Sequence, residues 1–306
     1  MPLSEHYRHR VALLIETIQF VAAEPQFALK GGTAINLFFR DMPRLSVDID
    51  LTYLPVAPRP ESLAAINAAM KRMAESIRTG LRRARVTEVI NAREKIVTKL
   101  TVQRGDAQIK IEVTPVLRGC VFEPEMRNVS AGVEETFGFA QMQVVSFADL
   151  YAGKLVAAPD RQHPRDLFDV RDLLANEGVT DDLRKAFIVY LISHDRPISE
   201  VIVPHRKDIA QEFAQGFEDM TVEAVALSDL VEAREALIAA VAGNMPNAHK
   251  EFLIGFKRGH PDWNLLGIPS AADLPAVRWK QINLDRLPDE QRTKLVAQLD
   301  NVLYNS

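Results

Sequence analysis

The chain changes character once, near residue 145, and that change limits the folds open to it. Before it, short segments of alternating polarity are separated by turns and helices; after it, nearly everything to about residue 257 carries helical periodicity. Val47-Asp48-Ile49-Asp50-Leu51 alternates with period two, the signature of a strand with one face on a core. Phe27–Lys30 is a short strand candidate that ends at Gly31-Gly32, and helical spacing precedes it over residues 5–23 and follows it from Thr33 to near Pro43. A helix is predicted over roughly 60–79, and strands around 86–90, 96–102 and 107–113, the last two joined as a hairpin by Arg104-Gly105-Asp106. These features predict an α+β protein: a mixed domain on a small sheet over residues 1–145, then a mainly helical domain over 146–306.

Ser146, with Asp149 three residues on, resembles a capping-box start for the first helix of that second domain. Breaks are expected near Pro159, Pro164, Gly178, Arg196-Pro197, Pro204 and Gly243–Pro246. The stretch beyond, with Pro261, Pro269, Pro275 and Pro288, reads as a loop-rich extension packed back on the body.

Composition excludes several classes of function. Apolar residues make up 47% and charged residues 25% of the 306, ordinary globular proportions. The net charge of -4 argues against a polybasic protein. Cys120 is the single cysteine, which excludes an internal disulfide and a thiolate-rich zinc site. The stretch from Met1 to Glu5 has no basic segment leading into an apolar run, and no apolar run is long enough to span a bilayer. A cytoplasmic protein is the simplest expectation.

Gly31-Gly32-Thr33, placed between strand and helix and followed by Asp48-Ile49-Asp50, is the sharpest local signal. Glycines at such a turn let the backbone approach a phosphate, the helix start supplies N–H donors, and the Thr33 hydroxyl offers a further contact. The same tripeptide also serves as an ordinary turn. Asp48 and Asp50, two apart on a strand, present their carboxylates to one side. Two carboxylates so close repel unless a proton or cation lies between them, and hard oxygen ligands suit Mg²⁺ alongside substrate phosphates. Glu112, in Ile109-Lys110-Ile111-Glu112-Val113, is a candidate third metal ligand or a general base; an outward glutamate on an amphipathic strand is the plain alternative.

A second cluster follows in the helical part. Lys154 lies among Leu150, Tyr151, Leu155 and Val156, where it either snorkels to solvent or delivers a charge to a triphosphate. Asp166 and Asp169, three apart at a helix start, share a face; Asp166 also fits as a helix-start carboxylate or a partner of Arg165.

In combination, Gly31-Gly32-Thr33, Asp48-Ile49-Asp50-Leu51, Lys154-Leu155, Arg165-Asp166-Leu167-Phe168-Asp169 and the ending Leu274-Pro275-Ala276-Val277-Arg278-Trp279-Lys280 with Asn283-Leu284 resemble the AbiEii/AbiGii family of nucleotidyltransferase toxins. The resemblance implies a polymerase β-like nucleotidyltransferase domain followed by a helical one. It also implies a toxin of a toxin–antitoxin or phage-defence system, with a cognate antitoxin protein, nucleoside triphosphate as substrate and Mg²⁺ as cofactor. It makes Gly31, Gly32 and Thr33 the phosphate-binding turn, Asp48 and Asp50 the metal ligands, and Lys154 the triphosphate contact. Asp166 and Asp169 become the acidic pair of the helical motif, with either as the catalytic one.

The acceptor is expected to be RNA, with tRNA first by resemblance. Lys71, Arg72, Arg78, Arg82, Arg83, Arg85, Arg93, Lys95, Lys99 and Arg104 stand against only Glu75, Glu88 and Glu94 in that segment, a local basic region suited to a polyanion or simply balanced by charges elsewhere. Transfer to a small molecule and non-catalytic nucleotide binding are the competing expectations.

Overall fold

The computed structural model describes residues 5–218 and 220–305; Met1–Ser4, the stretch read for a leader, lie outside the described residues. By internal contacts the chain divides into two compact units. The first runs to Ser146 and takes in Met220–Glu223; the second comprises the rest.

The first unit is built on a mixed sheet. Its strands are β1 (Phe27–Lys30), β2 (Asp48–Tyr53), β3 (Arg85–Ile90), β4 (Val97–Arg104), β5 (Ala107–Arg118), β6 (Glu125–Asn128) and β7 (Gln141–Val144), in the order β3-β4-β5-β2-β1-β7-β6. β2 is parallel to β5 and antiparallel to β1, which is itself parallel to β7. The β4–β5 hairpin turns where expected, with Gly105 at φ +61 and Arg104 paired with Ala107. Helix α1 (Glu5–Ala22) packs on β5 and β7, helix α3 (Arg59–Gly80) on β3 and β4, and the two helices touch. Beneath them Ile49, Leu51, Ile109 and Ile111 are fully buried, which leaves Asp48, Asp50, Lys110 and Glu112 on the opposite face. Arg104 ties this layer together through two hydrogen bonds of 2.6 Å to Glu16 of α1.

The sequence reading needs four amendments here. The helix after β1 begins at Gly31, as α2 (Gly31–Ala34), and continues as a π-helical turn over Ile35–Phe39. β6, β7 and the intervening α4 (Ala131–Phe137) were not expected; all three are short, and β6 is largely exposed with no alternation to betray it. Pro159 does not end its helix: α5 (Phe147–Arg161) carries it in the last turn, where its missing N–H costs one bond. The C-terminal stretch is mainly helical rather than loop-rich. Short 3₁₀ turns at Trp263–Leu265 and Pro269–Asp273 lead into α12 (Pro275–Asp285) and α13 (Asp289–Asn305), with Pro275 at a helix start, where proline is favoured.

The second unit is an assembly of helices. α5 packs against α7 (Asp181–Ser193) and α6 (Pro164–Asn176), and α6 against α10 (Leu227–Ile238). α8 (Ile198–Ile202), α9 (Ala210–Gly216) and α11 (Asn247–Arg258) complete it, with Phe168, Phe213, Phe217, Phe252 and Phe256 among its buried side chains. No described helix is long and apolar enough to cross a membrane.

Candidate functional site

The glycine turn exists because neither position tolerates a side chain. Gly31 has φ +76, and a Cβ there would lie 2.6 Å from Asp50 Oδ2. A Cβ on Gly32 would lie 2.8 Å from both Arg44 Nη2 and Ser46 Oγ. Removing both side chains therefore lets the turn close against one carboxylate, one hydroxyl and one guanidinium. The Lys30 side chain, at the N-cap position, does not cap the N–H groups at the start of α2.

Thr33 lies in the turn between β1 and β2. It is fully buried, its hydroxyl donates to the Asp48 carbonyl at 2.5 Å, and it lies 3.1 Å from Ser46 Oγ. That hydroxyl fastens the turn to β2. Asn36 adds a second tie, donating to Gly32 O at 2.8 Å and accepting from the Arg44 N–H.

Asp48 and Asp50 share a face, as the alternation predicts. Asp48 Oδ1 is buried without a hydrogen-bond partner among the described residues. An ionised oxygen in that state is costly to bury, so Asp48 is suited to a cation brought from outside. Lys30 pairs across β1–β2 with Asp50. Burial pushes the Lys30 ammonium pKa down, against the opposing pull of Asp50 and of Cys120. Lys30, Arg44 and Ser46 escaped the sequence reading; the only signal was adjacency, Lys30 to the glycines and Ser46 to Asp48.

Glu112 is the β5 partner of Asp50, but its Oε1 sits 2.5 Å from Lys99 Nζ. The expected three-carboxylate cluster is not assembled: among the described residues no group of three His, Cys, Asp or Glu is arranged to hold a metal ion. The physical reason is that Lys99, opposite Glu112 on β4, supplies the counter-charge.

The second cluster belongs to the helical unit. Lys154, 8% exposed, places Nζ 2.8 Å from Asp166 Oδ1 and 3.0 Å from Asp169 Oδ2, while Arg161 Nη2 lies 2.9 Å from Asp166 Oδ2. Lys154 thus does not snorkel to solvent; it bridges the carboxylates of α6. Burial would raise the Asp166 pKa, but Lys154 and Arg161 outweigh it and hold it below the usual carboxylate range. The partner of Asp166 is Arg161, not Arg165. The helix start is set by His163, whose Nδ1 accepts from the Arg165 N–H at 3.1 Å, followed by Pro164. Gln162, left-handed at φ 52, locks the α5–α6 turn by donating to His205 O and accepting from Lys207 N and Arg234 Nη1.

The basic segment divides in two. Arg72, Arg78, Lys99 and Arg104 are engaged by Glu24, Glu88, Glu112 and Glu16. Lys71, Arg82, Arg83, Arg85 and Lys95 are exposed and have no ion-pair partner among the described residues.

With this geometry in view, comparison with known proteins is informative. Residues 12–281 match the family model described as nucleotidyl transferase AbiEii toxin, type IV toxin–antitoxin system. Among solved structures, the chain is similar to MenT4, a nucleotidyltransferase toxin from Mycobacterium tuberculosis, with a TM-score of 0.61 and 13% identity over 97% of this chain and 95% of that one. No curated protein sequence matches significantly.

Two stability predictions follow from the two clusters. Gly31→Ala should cost about 1–3 kcal/mol in urea denaturation, from the positive φ and the clash with Asp50. Lys154→Met should cost about 3–5 kcal/mol, because it removes the buried cation shared by Asp166 and Asp169 and leaves Arg161 on Asp166. The pH dependence should also change sign. In the wild type, the lowered Asp166 pKa contributes stability above the unfolded value of about 3.9, lost as pH falls through the folded pKa. In Lys154→Met burial dominates, so acidification from neutral pH should stabilise the variant; parallel pH profiles of the two proteins would contradict this assignment.

Proposed function

The chain belongs to the AbiEii nucleotidyltransferase toxins of type IV toxin–antitoxin systems, a family that implies a cognate antitoxin, and from that premise we propose that it transfers a nucleoside monophosphate from a triphosphate to a hydroxyl of RNA, tRNA first. The observation that carries the reading is the unpartnered, buried Asp48 oxygen beside Asp50 and the glycine turn.

The donor set fits Mg²⁺: hard carboxylate oxygens, one of them buried without a partner, next to a backbone stripped of side chains. When bound, the ion supplies charge neutralisation to the triphosphate. Asp48 and Asp50 would hold it. Gly31 and Gly32 would let the phosphates approach the backbone, and N–H groups at the start of α2 would donate to them. Thr33 keeps turn and strand in register through the Asp48 carbonyl. The acceptor oxygen forms its bond to the α-phosphorus as the bond to pyrophosphate breaks, and the hydroxyl proton passes to a base. Glu112, on the same face, is the carboxylate we assign to that proton. Because such a transfer asks for positioning and electrostatics more than covalent chemistry, rigid placement of these groups is the main contribution of the protein.

Lys154, Asp166 and Asp169 we assign to holding α5 against α6. Contact of Lys154 with a triphosphate would require phosphate oxygens to replace one of its carboxylates. The unpaired Lys71, Arg82, Arg83, Arg85 and Lys95 support a polyanionic acceptor.

Incubation with each α-labelled triphosphate, Mg²⁺ and total RNA tests the reading. Label should appear on RNA, and Asp48→Asn or Asp50→Asn should reduce it by at least about a hundredfold without unfolding the protein. Chelation of divalent cations should do the same. Label on a small molecule would move the acceptor, and label on nothing would leave nucleotide binding without transfer. In cells, expression of the wild type should arrest growth, co-expression of the cognate antitoxin should relieve it, and Asp48→Asn should be harmless at equal protein level. Normal growth with abundant wild-type protein would contradict the toxin reading in that host.

A further inference from the structure

Arg118 is an anomaly at the other end of the central strands. It closes β5 beside Tyr53, three residues along β2 from Asp50 and hence roughly 10 Å away. It is 7% exposed, and its Nε and Nη1 are buried with no hydrogen-bond partner among the described residues. No carboxylate among the described residues pairs with it. A guanidinium is always charged, so burying one without a counter-ion is a large electrostatic penalty.

The neighbours deepen the penalty. Burial pushes the Arg118 pKa down, the charge of Arg59 pushes it further, and only Tyr53 opposes them. Arg59, the first residue of α3 and about half exposed, spends its guanidinium on Glu94 at 2.5 Å. That same carboxylate also lies 3.7 Å from Arg93 Nε. Arg59 and Arg93 therefore share one carboxylate, while the more deeply buried Arg118 has no carboxylate partner among the described residues.

We propose that Arg118, whose buried Nε and Nη1 have no acceptor among the described residues, is the seat of a phosphate oxyanion, separate from the Asp48–Asp50 face. The excess of positive charge favours an anion, and the planar N–H array of arginine matches phosphate oxygens. The phosphate is supplied either free or by the backbone of a polynucleotide. The seat does not rest on the transfer reaction, since it would bind phosphate in a protein that transfers nothing.

Calorimetric titration of the full chain with inorganic phosphate at constant ionic strength, against chloride, tests the seat. Wild type should bind; Arg118→Gln should bind at least about tenfold more weakly, and Arg118→Lys should fall between, keeping the charge without the array. Asp48→Asn should bind phosphate like wild type. Without phosphate, Arg118→Gln should melt above wild type, because an uncompensated buried charge has gone, and phosphate should raise the wild-type melting temperature by about 2 °C or more at ten times its dissociation constant. Should Arg118→Gln fail to fold, Arg118→Lys against wild type decides. Repeating the titration with a twelve-nucleotide single-stranded RNA identifies the source: about tenfold weakening by Arg118→Gln assigns the seat to a backbone phosphate, and no weakening assigns it to free phosphate. Absence of phosphate binding by wild type, or equal binding by the Arg118 variants, overturns the proposal.

Discussion

The first unit depends on the burial of Ile49 and Leu51. Both are fully inside the layer between sheet and helices, and each residue added to a strand reverses the side-chain direction. Burying them therefore forces Asp48 and Asp50 outward together, and a slip of one residue would bury two carboxylates and expose two aliphatic chains. The parallel pairing with β5 extends the same rule, since Ile109 and Ile111 go inward and Lys110 and Glu112 outward. The chemistry of that face is a by-product of a hydrophobic requirement. The turn before α2 adds only what the register cannot, a backbone bare enough to close on Asp50.

Much of this was legible in the sequence because it is periodic. The alternation around Asp48, the glycines at a strand end and the helical run after Ser146 each leave a local pattern. β6, β7 and α4 do not: they are short and owe their form to neighbours, β7 to its pairing with β1 and β6 to its pairing with β7. The C-terminal helices were obscured by prolines, which at Pro275 start a helix rather than interrupt one.

Side-chain roles were harder to read than elements, for a general reason. A residue type states what a group can do, and only its partners state what it is doing. Thr33 carries the hydroxyl that a phosphate turn asks for, yet that hydroxyl is given to the Asp48 carbonyl. Glu112 stands on the right face, and Lys99 meets it there. Lys154, Asp166 and Asp169 have the composition of a catalytic set and the connectivity of a buried ion-pair network. Arg44 and Ser46 drew no attention in the sequence, although Gly32 has no side chain in part because they fill its place.

Charge accounting separates these cases. In the helical unit, two buried carboxylates receive one lysine and one arginine. On the sheet, Asp48 holds a buried oxygen with no donor, and Arg118 holds buried N–H groups with no acceptor. These opposite charges cannot relieve each other, since they lie toward opposite ends of β2. A buried carboxylate oxygen without a donor and a buried guanidinium without an acceptor each cost stability that packing does not return. On the readings proposed above, a cation would answer the first and a phosphate the second.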